Sequence, residues 1–264
     1  MEKIDYHVHS DNSFDGKEKI IDLSNRACEL GLSEICFTEH YCMDPMDVSY
    51  NVLDNSRYSD EIKECQEILK GKISIKKGLE IGEPYMFKED LNNSIKDMNL
   101  DFIIGSIHNI DHLKLRSYIK DKDKKYIYNR YFNEIYKMVT QGEFDVVGHL
   151  DLMKRYAYSD FGNYDFKDCE ELLASILKEV IGRNKGIEIN TSGLRDNVKE
   201  LYPSVDVIKL YKQLGGEIIT IGSDSHTNDF IGSEFLTVIK ILKDAGFKYI
   251  FKYEKRNPIG VKII

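Results

Sequence analysis

The stretch IDYHVHS, residues 4–10, leads from an alternating apolar run straight into two histidines at i and i+2. Period two turns His7 and His9 to one side of a strand, with Val8 opposite. The same ending recurs along the chain. EICFTEH closes at His40, ISIKKGLE at Glu80, DFIIGSIH at His108 and FDVVGH at His149. IITIGSDSH closes on Asp224 and His226, again at i and i+2. Six of the seven histidines therefore stand where a predicted strand runs out into a loop. Residues at the same end of successive parallel strands converge on one point. Imidazoles and carboxylates gathered there make a metal site.

Between these endings lie amphipathic segments near period 3.6. Helices are predicted over 17–30, 56–69, 87–98, 124–141, 164–184, 204–214 and 229–245, several stopped by a glycine such as Gly31, Gly71 or Gly142. Strands over 4–8, 34–38, 73–81, 101–107, 144–148, 187–190 and 217–222 alternate with them, and 248–253 is a final short strand. Seven such units predict an α/β fold of parallel strands joined by helices, closed or nearly closed into a barrel. An open doubly wound sheet is the alternative, but no GxGxxG or GxxxxGK[ST] motif supports it. The irregular segments 41–55 and 109–123 follow the second and fourth strands, where they would overhang the metal end. One domain covering 1–264 is expected.

Composition narrows the partners. The chain has 264 residues, 42% hydrophobic and 31% charged, as a globular domain has. A net charge of -8 without a basic stripe argues against nucleic acid. It leaves an anionic small molecule open, because bound cations reverse the local field. Met1-Glu2-Lys3 enters the first strand with no apolar leader, and no run is long enough to cross a membrane. Five cysteines in no C-x-x-C spacing read as free thiols, which suits a reducing cytoplasm. Cys36 is expected in the core.

The spacing argument names His7, His9, His40, His108, His149, His226, Glu80 and Asp224 as candidate ligands. At Glu39-His40, adjacent residues diverge, so one of the two ligates, with His40 favoured. Asp11 and Asp15 both follow His9; one could ligate while the other caps the next helix. His112 falls in a polar loop and is expected outside the cluster. Up to nine ligands are too many for one tetrahedral ion and fit two or three, with Glu80 as a bridge. Multinuclear nitrogen and oxygen sites suit hydrolysis of phosphate esters. Arg155 and Arg195 follow the fifth and sixth strands at the same end, where a guanidinium suits bidentate phosphate contact. Ser192 could add a hydroxyl. Taken singly, each arginine could equally be a surface ion pair.

DYHVHSDNSFDG, GSIHNI, VGHLDLMKRY, EINTSGLR and IGSDSH together resemble the polymerase and histidinol phosphatase (PHP) superfamily, and within it the stand-alone histidinol-phosphate phosphatases. The likeness runs from His7 to His226. It implies a distorted (β/α)7 barrel and three divalent metal ions, zinc, iron or manganese. On these positions His7, His9, Glu80 and Asp224 would hold one ion, Glu80, His108 and His149 a second, and Asp15, His40 and His226 a third. The resemblance thus selects His40 over Glu39 and Asp15 over Asp11. It implies hydrolysis of L-histidinol phosphate to L-histidinol and phosphate, with Glu80, Asp224 and His226 as catalytic members and Arg155, Arg195 and Ser192 at the substrate. Rival expectations are a PHP phosphoesterase for another small ester, a nuclease-type module and a non-enzymatic metal-binding module.

Overall fold

A computed structural model describes residues 2–263; Met1, part of the expected leaderless start, lies outside the described residues. Seven parallel strands form the central sheet in chain order: β1 (Ile4–Val8), β2 (Glu34–Tyr41), β3 (Ser74–Gly82), β4 (Phe102–Ser106), β7 (Val146–Val147), β8 (Gly186–Asn190) and β9 (Ile219–Gly222). Two further strands, β5 (Asn109–Ile110) and β6 (Leu113–Lys114), make a small hairpin beyond β4. Helices pack outside: α1 (Ile20–Glu29), α2 (Asn55–Ile68), α3 (Lys88–Ile95), α4 (Leu115–Tyr118), α5 (Lys124–Gln141), α6 (Met153–Phe161), α7 (Phe166–Gly182), α8 (Val205–Gln213) and α9 (Phe235–Asp244). The strands β1, β4, β8 and β9 are buried at every residue, as strands covered on both faces must be. The barrel expected from the alternation is the fold.

Closure falls between β9 and β1. The Asp224 amide donates to the His7 carbonyl at 2.8 Å, and the His9 amide to the Ser225 carbonyl at 2.9 Å. Only the rim is stitched in this way, so the barrel is nearly rather than fully closed. A bulge in β1 sets what enters it. Asp5 pairs with Ile35 and Val8 with Phe37, three steps on β1 against two on β2. The extra residue turns both Tyr6 and His7 inward, where each reaches non-neighbouring strands. Tyr6 meets Phe102 of β4 with ring centroids 5.1 Å apart, and His7 meets Glu80 of β3.

The end away from the histidines is apolar and plugged. β10 (Tyr249–Glu254) pairs with β11 (Asn257–Lys262), so the predicted last strand is half of a hairpin. Tyr253 packs on Phe102 at 4.8 Å, and its amide donates to the Tyr6 hydroxyl at 2.7 Å. β11 escaped the pattern because Pro258 and Gly260 mark it as an exposed edge strand.

Other differences have local causes. Residues 17–19 do not begin α1: the Glu18 carbonyl accepts from the Asp11 amide, folding that segment into the β1 loop. Neither Asp11 nor Asp15 caps α1, whose cap residue is Lys19, without a side-chain bond. The predicted helix over 164–184 is α7 alone, and the unpredicted α6 precedes it, separated by Gly162 at φ 67°. The helix expected from 229 starts only at Phe235, after a turn through Gly232 at φ 62°. β2 runs three residues past its predicted end, which carries Glu39 and His40 on regular strand.

Phe102→Ala should lower stability by about 4 kcal/mol, because a buried aromatic leaves a cavity beneath Tyr6 and Tyr253. Urea unfolding followed by far-UV dichroism checks this; a loss below about 1 kcal/mol would mean the plug repacks freely.

Candidate metal centre

All nine residues of the expected ligand set meet at the C-terminal end of the barrel. β2 and β3 pair His40 directly with Glu80, so register alone puts these two side by side. Glu80 is 1% exposed and divides its carboxylate. Oε2 lies 3.4 Å from His7 Nε2, 3.6 Å from His9 Nε2 and 3.0 Å from His40 Nδ1. Oε1 lies 3.1 Å from His108 Nε2 and 2.7 Å from His149 Nε2. That is the arrangement of a carboxylate shared by two ions. Asp224 Oδ1 is 3.8 Å from His7 Nε2 and 3.7 Å from His9 Nε2. Asp15 Oδ2 stands 3.5 Å from His40 Nε2 and 3.3 Å from His226 Nε2.

The donors fit divalent ions. A tetrahedral zinc with ligands about 2.1 Å away separates them by about 3.4 Å, close to most of these distances. His7 Nε2 and His9 Nε2 face each other at 3.0 Å, both fully buried, close enough to ligate one ion. Asp15 Oδ1 is buried without a partner. Four overlapping triads have ligand atoms within 4.8 Å of one another: His9, His40 and His226; His7, His9 and Asp224; His7, Glu80 and His149; His40, Glu80 and His108. The overlap through His7, His9, His40 and Glu80 joins these groups into one connected set of candidate ligands, not separate sites.

The electrostatics agree. Burial opposes ionisation of Glu80, but His108, His7 and His40 outweigh it and hold the carboxyl well below its ordinary range. Burial likewise opposes a charge on His40, yet Glu80 and Asp15 push its imidazole up to about 10. His9, buried and flanked by His40 and His226, is driven down instead.

Two ligand positions lie in strained backbone, His149 at φ 21° and Asp224 at φ 53°. Such conformations persist where the surroundings over-determine them, and they cluster at functional sites.

The remaining expectations divide. His112 stands outside the cluster, with Nδ1 2.6 Å from Asp44 Oδ2. Glu39 stands outside the candidate ligand groups and accepts from the Ser10 amide and hydroxyl and from Ser13 Oγ. Asp11 pairs with Arg57 at 2.8 Å. All five cysteines are free, and Cys36 is fully buried. Arg155 is no surface pair: Nη2 lies 3.3 Å from Asp224 Oδ2 and donates to Ser192 Oγ at 2.5 Å, while Nε binds Asp196. Arg195 donates to the Ser223 carbonyl at 2.8 Å, and its guanidinium covers Phe230. Two buried carboxylates, Glu83 and Glu188, were missed altogether, and Glu39, weighed only as a ligand, holds the loop after β1 instead. Glu83 accepts from the His108 and Asn109 amides at 2.6 and 2.7 Å. The period-two rule that found Glu80 would also have picked out Glu188 and Asn190 at the end of β8.

Residues 5–192 match the PHP domain model. The histidinol-phosphatase of Lactococcus lactis is 34% identical over 100% of this chain and 97% of its own length. The chain belongs to the PHP family. A crystal structure of the Lactococcus lactis histidinol phosphate phosphatase, with zinc, L-histidinol and phosphate, superposes with TM-score 0.90 at 31% identity, covering 98% of this chain and 99% of that one. A second structure, from Listeria monocytogenes, shares the fold with TM-score 0.77 at 19% identity, over 89% of this chain and 99% of that one.

Two outcomes are expected. Glu80→Ala should lower the metal retained after dialysis, since both its oxygens face imidazoles, whereas His112→Ala should leave the content unchanged; elemental analysis distinguishes them. Loading should also depend on pH. A His40 imidazole raised to about 10 is protonated at neutral pH in metal-free protein, so an incoming ion must displace that proton. Zinc affinity should therefore rise with pH up to that value and fall as pH drops, with proton release seen in weakly buffered calorimetry. PH-independent loading would contradict this.

Proposed function

We propose that this protein is a metal-dependent phosphomonoesterase that hydrolyses L-histidinol phosphate to L-histidinol and phosphate, a reaction of histidine biosynthesis. The observation that carries the reading is the divided Glu80 carboxylate with five imidazoles on its two oxygens, in a chain that aligns along its whole length with a histidinol-phosphatase. We read residues 1–264 as one PHP-type barrel unit acting in the cytoplasm on a small phosphorylated substrate, with no nucleic-acid or membrane partner. No helix among the described residues is long and apolar enough to cross a membrane.

His7, His9, Glu80 and Asp224 would hold one ion, Glu80, His108 and His149 a second, and Asp15, His40 and His226 a third. Zinc, iron or manganese suits such a donor set. Bound there, the ions supply Lewis acidity to the phosphoryl oxygens and make water nucleophilic at neutral pH. The protein's own groups do the rest. Arg155 and Arg195 both contact the Asp224 segment, Arg155 at the Asp224 carboxylate and Arg195 at the Ser223 and Asp224 carbonyls. From there they offer positive charge to a phosphate that reaches the cluster. Ser192, held by Asn190 Oδ1 at 2.5 Å, places its hydroxyl between Arg155 and Asp224. Burial of His7, His9, Glu80 and Asp224 lowers the local dielectric, which strengthens each of these interactions.

Phosphate release should be fastest from histidinol phosphate within a panel of sugar, nucleotide and phosphotyrosine esters. Arg155→Ala should reduce kcat/KM on the order of 10²-fold, the usual effect of removing one positioned charge donor. Equal rates across the panel would sink the substrate assignment while leaving the phosphoesterase reading intact.

A further inference from the structure

Glu188 is 1% exposed, lies on β8 behind the ligands and belongs to none of the ligand groups described above. Its two oxygens serve two different strands. Oε1 lies 2.6 Å from His7 Nδ1, on β1. Oε2 accepts the His149 amide at 2.7 Å, just past β7, and the Asn190 side chain at 3.2 Å. In the reading above, His7 serves the first ion and His149 the second. We infer that Glu188 is a positioning residue that ties these two metal positions together from outside, as Glu80 does from within. The inference rests on the metal-centre reading and deepens it.

Three observations support the assignment. The first concerns the tautomer. A carboxylate facing Nδ1 requires a proton there, which leaves the Nε2 lone pair of His7 pointing at Glu80, His9 and Asp224. The second concerns strain. His149 holds its backbone at φ 21°, and the amide caught by Glu188 belongs to that residue. The carboxylate is therefore part of what over-determines the conformation that aims His149 at Glu80. The third is the space around the group. A Cβ on Gly222 would collide with Glu188 Oε1 and with His7. One strand-end position is thus kept free of a side chain where this carboxylate sits. Beyond it, Asn190 passes the contact on to Ser192, and Ser192 to Arg155 and Asp224.

The test uses zinc as the probe and does not depend on turnover. Metal-free wild-type protein should show a hydrogen-bonded imidazole proton downfield of the amide envelope, assigned to His7 Nδ1 by nitrogen-edited NMR. Glu188→Gln, nearly isosteric, removes the carboxylate and should move that resonance upfield or abolish it, because the charge-assisted hydrogen bond at Nδ1 is lost. In zinc titrations against a competing chelator, the same variant should bind two of the ions about 10–100-fold more weakly and the ion at Asp15, His40 and His226 as tightly as wild type. Absence of the resonance in wild type overturns the inference even if the variant fails to fold. So does wild-type zinc affinity in Glu188→Gln, weakening at one position only, or equal weakening at all three. His9→Ala separates the two levels. If it leaves zinc binding untouched, the metal-centre reading itself fails; if it weakens binding while Glu188→Gln does not, only the role of Glu188 is lost.

Discussion

Glu80 is a buried carboxylate with both oxygens facing imidazoles, and the arrangement of the barrel's functional end follows from that. An ionised group this deep is tolerated only when opposite charge surrounds it. Here the surroundings come from β1, β2, β4 and β7, so no single segment could provide them. His40 arrives by strand register, His7 and His9 by the closure of β1 on β9, and His108 and His149 from the loops just beyond their strands. Each of those loops is in turn held by hydrogen bonds to a further buried carboxylate. Glu39 serves the loop after β1, Glu83 the turn at His108, and Glu188 the turn at His149.

The two ends of the barrel divide the labour. At the far end Tyr6, Phe102 and Tyr253 form an apolar plug under the β10–β11 hairpin. Arg256 at the hairpin tip fastens it to Asp145, just before β7, and to Glu143. The near end accepts strained backbone, facing imidazoles and buried carboxylates, which only a rigid scaffold can hold in place. The bulge in β1 is the hinge between the two, since it turns Tyr6 toward the plug and His7 toward the cluster from consecutive positions.

Much of this was legible because it depends on short-range pattern. Period two put His7 with His9 and Asp224 with His226, and fully apolar runs marked strands covered on both faces. The choice between Glu39 and His40 was only half legible: divergence of neighbours on a strand said that one must turn away, not which. The structure turns Glu39 toward Ser10 and Ser13. The misses share a cause. α6 lacks a clean apolar stripe, and its boundary depends on Gly162 adopting a positive φ, which no periodicity records. β11 is stable only because β10 lies beside it. The expected helical start at residue 17 was overridden by a tertiary hydrogen bond from Asp11.

By itself the sequence determined that this chain alternates strand and helix seven times and ends its strands in metal-ligating residue types. Both follow from local spacing, which side-chain alternation converts directly into geometry. Only the tertiary structure decided how the ligands are shared. That Glu80 splits its oxygens between two groups, that Arg155 lies on Asp224 and not on the surface, and that Glu188 stands behind two ligands at once are facts of distance across the barrel. They are set by closure, register and one bulge, which act between residues far apart in the chain and leave no period in it.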